Sequence, residues 1–136
     1  MLRINDVYQY QDLSVRILKI LSEHIVWIDI NDVKALPEII SKTELFHAIE
    51  SFEVFRIEDP FQDIAFIQPE KDSTSQRKRD ENYNLIKNIV DHEQFYIPSA
   101  RSSLINEIIN SKKSTKQTIY RLLRQYWQRG QTPNAL

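Results

Sequence analysis

Residues 98–130 read PSARSSLINEIINSKKSTKQTIYRLLRQYWQRG, and the spacing within this stretch decides the fold of the C-terminal half. Proline is tolerated in the first turn of a helix, where its missing N–H has no partner to lose. Pro98 therefore opens a helix with Leu104, Ile105, Ile108 and Ile109 as its apolar face, fading at Asn110-Ser111. Ser114-Thr115-Lys116-Gln117 has the form of a capping box with Ser114 as N-cap. Ile119, Leu122, Leu123 and Tyr126 follow at i, i+3, i+4 and i+7, the stripe of an amphipathic helix. Arg129 places a cation in its last turn and Gly130 stands just beyond. Two such helices joined by the short polar turn Ser111-Lys112-Lys113 form the helix-turn-helix plan. In that plan the second helix lies in the major groove of DNA and its first residues meet base edges. The turn of this motif usually contains Gly, and here it has none.

The side chains suit that task. With Ile119, Leu122 and Leu123 turned inward, Thr115, Lys116, Gln117, Tyr120, Arg121 and Arg124 lie at or near the exposed side. Gln pairs bidentately with adenine, Lys or Arg with guanine, and a Thr methyl meets the thymine methyl. Lys112 and Lys113 sit where the turn would meet phosphate, and Ser114 precedes free N–H groups at a positive helix end. Arg129 and Arg101 are further candidates for backbone contacts. The candidate DNA-binding set is thus Lys112, Lys113, Ser114, Thr115, Lys116, Gln117, Tyr120, Arg121, Arg124 and Arg129. A plain three-helix bundle with a basic solvent face fits the same pattern. Tyr126 reads as a packing residue, whereas Trp127 fits either packing or base stacking.

Upstream, Ser73-Thr74-Ser75-Gln76 is another capping-box candidate. It starts a helix to about Val90, with Tyr83, Ile86 and Val90 on one stripe and Leu85 and Ile89 beside it, broken at Asp91-His92-Glu93-Gln94. The front of the chain reads mainly as β. Val7-Tyr8-Gln9-Tyr10 is a short strand. Leu13–Ile17 alternates with period two, and the slip at Leu18-Lys19-Ile20 suggests a bulge. Leu21-Ser22-Glu23 connects it to His24–Ile30, a nearly continuous β-branched run expected of a central strand. Phe52–Ile57 is a further strand, stopped by Asp59-Pro60. One helix intervenes, capped by Ser41-Lys42-Thr43-Glu44, with Leu45, Phe46 and Ile49 on one face. Residues 58–72 hold two prolines and five acids and read as a connection, although Phe61, Ile64, Phe66 and Ile67 mark it as packed rather than free.

Charge divides the chain at the same place. Residues 1–72 carry 7 basic and 14 acidic side chains, a net of −7; residues 73–136 carry 11 and 5, a net of +6. The last 38 residues hold all of that excess: Arg101, Lys112, Lys113, Lys116, Arg121, Arg124 and Arg129 against Glu107 alone. A basic back half is the electrostatic footprint of a polyanion's partner.

Composition excludes several function classes. With no Cys there is no disulfide, thiolate metal site or Cys nucleophile. A single glycine, Gly130, leaves no Gly-rich phosphate loop. No apolar run approaches the roughly 18 residues of a membrane span, and Met1–Asp6 lacks a signal-peptide core, so a cytoplasmic protein with no membrane partner is expected. His24, His47 and His92 are isolated and lack metal-ligand spacing. Asp29 with Asp32, or Glu58 with Asp59, reads as surface acid rather than as a catalytic pair. No catalytic residue, metal or cofactor is expected.

Residues 126–136, YWQRGQTPNAL, resemble a distinctive stretch of TnsB-type transposases, the end-binding, strand-transferring subunits of heteromeric bacterial transposons. The resemblance extends upstream through Ser114–Arg124 and, more loosely, Arg77–Tyr83, Asp59-Pro60 and Val26-Trp27-Ile28. It implies an N-terminal region that binds transposon ends, ahead of an integrase-like core with three metal-binding acids. No position here matches those acids, and the stop at Leu136 before that core is expected to mark an N-terminal piece, cut at a boundary or truncated. The resemblance further implies contacts with other transposase subunits, a partner endonuclease or an ATPase regulator.

The expected architecture is α+β: a small β-rich module with one helix over residues 1–72, then a three-helix helix-turn-helix module over 73–136. The expected function is sequence-specific binding of double-stranded DNA at transposon ends. A protein-interaction module within a transposition complex is the rival, and an enzyme the weakest class. A shared face for Lys112, Lys113, Lys116, Arg121 and Arg124 favours DNA; scatter favours the rival.

Overall fold

The computed structural model describes residues 2–136. Five strands form one antiparallel sheet: β1 (Val7–Tyr10), β2 (Leu13–Ile20), β3 (His24–Asp29), β4 (Glu38–Ser41) and β5 (Val54–Ile57), in the order β4-β3-β2-β1-β5. Helix α1 (Lys42–Glu50) connects β4 to β5. Three further helices follow: α2 (Thr74–Val90), α3 (Pro98–Asn110) and α4 (Lys116–Gln128). The α+β class stands, with one helix among the strands and three after them.

Local sequence explains most of these limits. Ser41 and Ser73 cap α1 and α2, accepting from Glu44 N and Gln76 N, and Pro98 occupies the first turn of α3. The β2–β3 register shifts between Ile17 and Lys19, so the apolar slip is a bulge. Leu21 N donates to His24 O across the tight connection at 2.9 Å. Strand β4 was not expected. Its alternating partners, His24↔Ser41 to Trp27↔Glu38, come from pairing along β3 rather than from its own short sequence. The strand expected from Phe52 begins only at Val54: Phe52 has φ 61° and is 86% exposed, in a turn that ends α1.

Strand β3 reads as continuously apolar because both faces of the sheet are covered. Ile25 and Trp27 face an inner core with Tyr8, Val15, Ile17, Leu45 and Val54. Val26 and Ile28 face the other way, into a core with Val7, Leu18, Ile30 and the helical residues Ile86, Ile89, Phe95, Ile105, Ile119, Leu122, Leu123, Tyr126 and Trp127. The hydrophobic core therefore crosses from the acidic sheet to the basic helices. Phe61 packs against this second core, whereas Phe66 and Ile67 of the connecting segment are exposed.

Arg16, fully buried, lies on the helix-facing side of the sheet, paired with Val7 and Ile28. Its Nη1 and Nη2 each donate to an Asp59 carboxylate oxygen at 2.7 Å. Nη1 also donates to Asn5 O at 2.9 Å, and Nε and Nη2 donate to Gln128 O at 3.2 Å. Burial pushes the Asp59 carboxyl up, but the Arg16 hydrogen bonds, the Phe61 N–H and the Arg16 charge outweigh it and hold the group below its usual range.

Replacing Arg16 by Met is expected to cost about 3 kcal/mol in urea unfolding, near the low end for breaking a buried pair because Asp59 keeps some water contact. The depressed folded-state pKa of Asp59 means that its contribution is complete above the unfolded carboxylate value and is lost as pH falls through the lower folded value. The stability gap between the wild type and Asp59→Asn should hold steady at neutral pH and shrink on acidification; a gap that widens would contradict this.

Candidate nucleic-acid interface

Helices α3 and α4 are joined at Ser111–Thr115, and the glycine-free turn is made by Lys112 in the left-handed region, with φ 59°. Lys112 N donates to Ile109 O at 3.0 Å and Lys113 N to Ile108 O at 3.4 Å, closing the end of α3. The N-cap of α4 is Thr115, not Ser114: the Thr115 hydroxyl accepts from Thr118 N at 3.2 Å. The helix therefore starts one residue later than the Ser114 capping box implied, at Lys116, because Thr115 and Thr118 satisfy the cap between themselves.

The buried stripe of α4 is Ile119, Leu122, Leu123, Tyr126 and Trp127. At roughly 100° per residue, Lys116, Tyr120, Arg124, Gln117 and Arg121 span an arc of about 140°, with Arg121 and Gln117 farthest from the buried stripe and Lys116 beside it, one turn or more before Leu123 and Trp127. Lys112, Lys113, Thr115, Lys116, Gln117 and Arg121 are exposed, and Ser114 and Tyr120 half-buried. The structure brings these residues together at the turn and on the first half of the helix.

The remaining expected contacts sit differently. Arg124 is half-buried; its Nε donates to Ala35 O at 3.1 Å and its guanidinium lies over the Tyr120 ring at 5.3 Å. Arg129 is exposed and lies over the Phe61 ring at 5.9 Å. Arg101 is corrected outright. It is 4% exposed, donates from Nη1 to Phe95 O at 3.1 Å, and burial pulls its pKa down. It is a core residue and cannot reach a phosphate. Trp127 is fully buried and stacked on Phe95 at 5.6 Å, which settles it as packing. Tyr126 stacks on Tyr83 at 6.1 Å, and burial, with Tyr83 and Asp91 nearby, pushes its hydroxyl up to about 12.

Two residues that sequence reasoning passed over join the layers. Gln128 Nε2 donates to Asp29 O at 2.9 Å and to Asp32 O at 2.7 Å. Gln131 Nε2 donates to Asn5 Oδ1 at 2.9 Å and Leu18 O at 3.3 Å. Their amides carried no period or charge signal that could have flagged them. The acids that looked paired have structural partners: Asp29 and Asp32 each accept a loop N–H, Glu58 accepts from Gln62, and Asp59 holds Arg16. No helix of the described residues is long and apolar enough to cross a membrane.

A five-stranded antiparallel sheet followed by three helices, the last two joined by a short turn, defines the class of this chain. Residues 1–60 match a family model described as the TnsB N-terminal SH3-like domain, and residues 79–136 match the TnsB second domain. The chain is 37% identical over all of its 136 residues to the Transposon Tn7 transposition protein TnsB of Escherichia coli, of which it spans 19%. It belongs to the TnsB family and corresponds to that family's N-terminal region.

Lys112→Gly should raise the thermal midpoint, because a side chain at this left-handed position costs about 1 kcal/mol. Lys112→Val, whose β-branched side chain fits that conformation worse, should lower it. The reverse order in melting experiments would show that the turn is not formed as described.

Proposed function

We propose that this chain binds double-stranded DNA sequence-specifically at transposon ends, as a non-catalytic N-terminal part of a transposase. The observation that carries this reading is the set Lys112, Lys113, Lys116, Gln117 and Arg121. All five are exposed at the turn and first half of α4, and none makes a side-chain hydrogen bond or ion pair among the described residues. Unpaired cations grouped at the start of a helix match the way such helices enter a major groove. The relative's role in transposition supports the same reading.

In this mechanism Lys112 and Lys113 contact phosphate and set register. The N–H groups of Lys116 and Gln117, in the first turn of α4, face the same backbone. Gln117, Lys116 and Arg121 read bases, with Thr115 and Tyr120 beside them. Arg124 and Arg129 supply charge at the margin. The chemistry here is recognition, and strand joining belongs to other parts of such a protein.

A second reading gains from one observation. Phe46, Phe52 and Phe55 are exposed on the sheet module, with Glu44, Glu50 and Glu53 near them in sequence. Such a surface suits contact with another subunit or transposition protein, alongside DNA binding or in place of it.

The test is fluorescence anisotropy with a transposon-end duplex and a scrambled duplex at two salt concentrations. Tighter binding to the end duplex, weakening as salt rises, is the expected result. Lys116→Ala and Gln117→Ala should each relax discrimination by roughly 1–3 kcal/mol at one position. Lys113→Ala should weaken both duplexes alike and flatten the salt dependence. No binding at low salt would transfer the function to the protein-contact reading.

A further inference from the structure

The loop between β3 and β4, residues 30–37, is held against α4 by side chains of that helix. Arg124 Nε grips Ala35 O, and Gln128 Nε2 grips Asp29 O and Asp32 O. At the end of β3, Asp29 Oδ1 accepts from Asn31 N at 2.9 Å, and within the loop Asp32 Oδ1 accepts from Lys34 N at 2.8 Å. These two Asx turns fix the shape of the tip and turn both carboxylates toward the loop's own backbone. Val33 is 79% exposed and Lys34, the loop's one cation, is exposed. The loop is thus braced at two of its own carbonyls and at the end of β3, and it still presents a lysine to solvent.

We propose that this loop is a second DNA-contacting element, in which Lys34 meets a phosphate beside the groove entered by the start of α4. The proposal rests on the DNA-binding reading above. Distance along the helix decides the kind of contact. Arg124 lies seven residues beyond Gln117, about 10 Å along the axis, and the major groove is about 12 Å wide. With Gln117 at base edges, whatever is carried beside Arg124 meets the phosphate wall rather than a base. Lys34 therefore adds affinity without sequence preference. Gln128, which faces the loop and not the duplex, is a positioning residue.

The experiment uses the whole chain and the same two duplexes. Lys34→Ala should weaken binding to both by about three- to fivefold and reduce the salt slope by about 0.9, the share of one phosphate contact. Lys34→Arg should restore both. Lys42→Ala removes a lysine at the opposite end of β3, where Lys42 N bonds Glu23 O, and should change neither. Gln128→Ala should weaken binding in part, and adding Lys34→Ala to it should cost less than Lys34→Ala alone. If Lys34→Ala leaves affinity and slope unchanged while Lys113→Ala flattens the slope, the loop contact is overturned and the DNA reading stands. Equal losses for Lys34→Ala and Lys42→Ala would reduce the effect to overall charge and overturn it too. If binding occurs and no variant changes it, the loop contact and the assignment of the groove to α4 both fall; if no binding occurs, the DNA reading falls and the loop contact with it.

Discussion

A guanidinium with no water contact holds the two halves of this chain together. Burying a charge costs several kcal/mol unless its hydrogen-bonding capacity is met. Arg16 meets it from three separate parts of the chain: Asn5 before β1, Asp59 after β5 and the last carbonyl of α4 at Gln128. Each partner is thereby fixed relative to β2. Asp59 sets where the connecting segment leaves the sheet. The Gln128 carbonyl is one of those that a helix end leaves without an intrahelical partner, so the same contact that neutralises an orphan acceptor also sets the position of α4.

With α4 held at its C-terminal end, the two halves of that helix have different fates. Near Leu123, Tyr126 and Trp127 it is enclosed between the other helices and the outer face of the sheet. Its polar residues at that end, Arg124 and Gln128, are used on carbonyls of Asp29, Asp32 and Ala35. The first two turns project past this contact, and there Lys116, Gln117 and Arg121 keep their donors free. The helix is thus rigidly mounted at one end and chemically open at the other. A group that must find a base edge within a fraction of an ångström needs such a mount.

The parts of this structure that were legible in the sequence are those governed by local rules. Ser41, Ser73 and Pro98 marked helix starts through capping chemistry, and the bulge near Lys19 showed as a break in alternation. The run His24–Ile30 announced a central strand, although not that both of its faces would be covered. What stayed hidden depends on partners distant in sequence. Strand β4 exists through pairing with β3, and Arg101 read as surface charge until the carbonyl of Phe95 was placed beside it. Arg16, in the middle of an alternating strand, looked like an outward-facing polar residue; that face is in fact covered by helices. The capping residue of α4 slipped by one because Ser114 and Thr115 are chemically equivalent caps, and only the bond to Thr118 separates them. The exposed members of the candidate site were readable because exposure needs only the helical period.

The opposite charges of the halves constrain what the sheet module can contribute. At physiological ionic strength fields from exposed charges fade over about 8 Å, so on the proposed DNA reading the net charge of −7 on residues 1–72 repels only the part of a duplex that comes within that range. Its overall charge can supply no phosphate affinity. It does supply a fixed axis for α4 through Arg16 and Gln128 and a covered apolar face without which Trp127 and Leu18 would be exposed. An acidic module is also a poor surface on which a polyanion can dock in a wrong orientation. On the proposed DNA reading, the charge asymmetry therefore favours an approach in which the turn at Lys112 and the start of α4 lead, so that orientation is selected before any base is read.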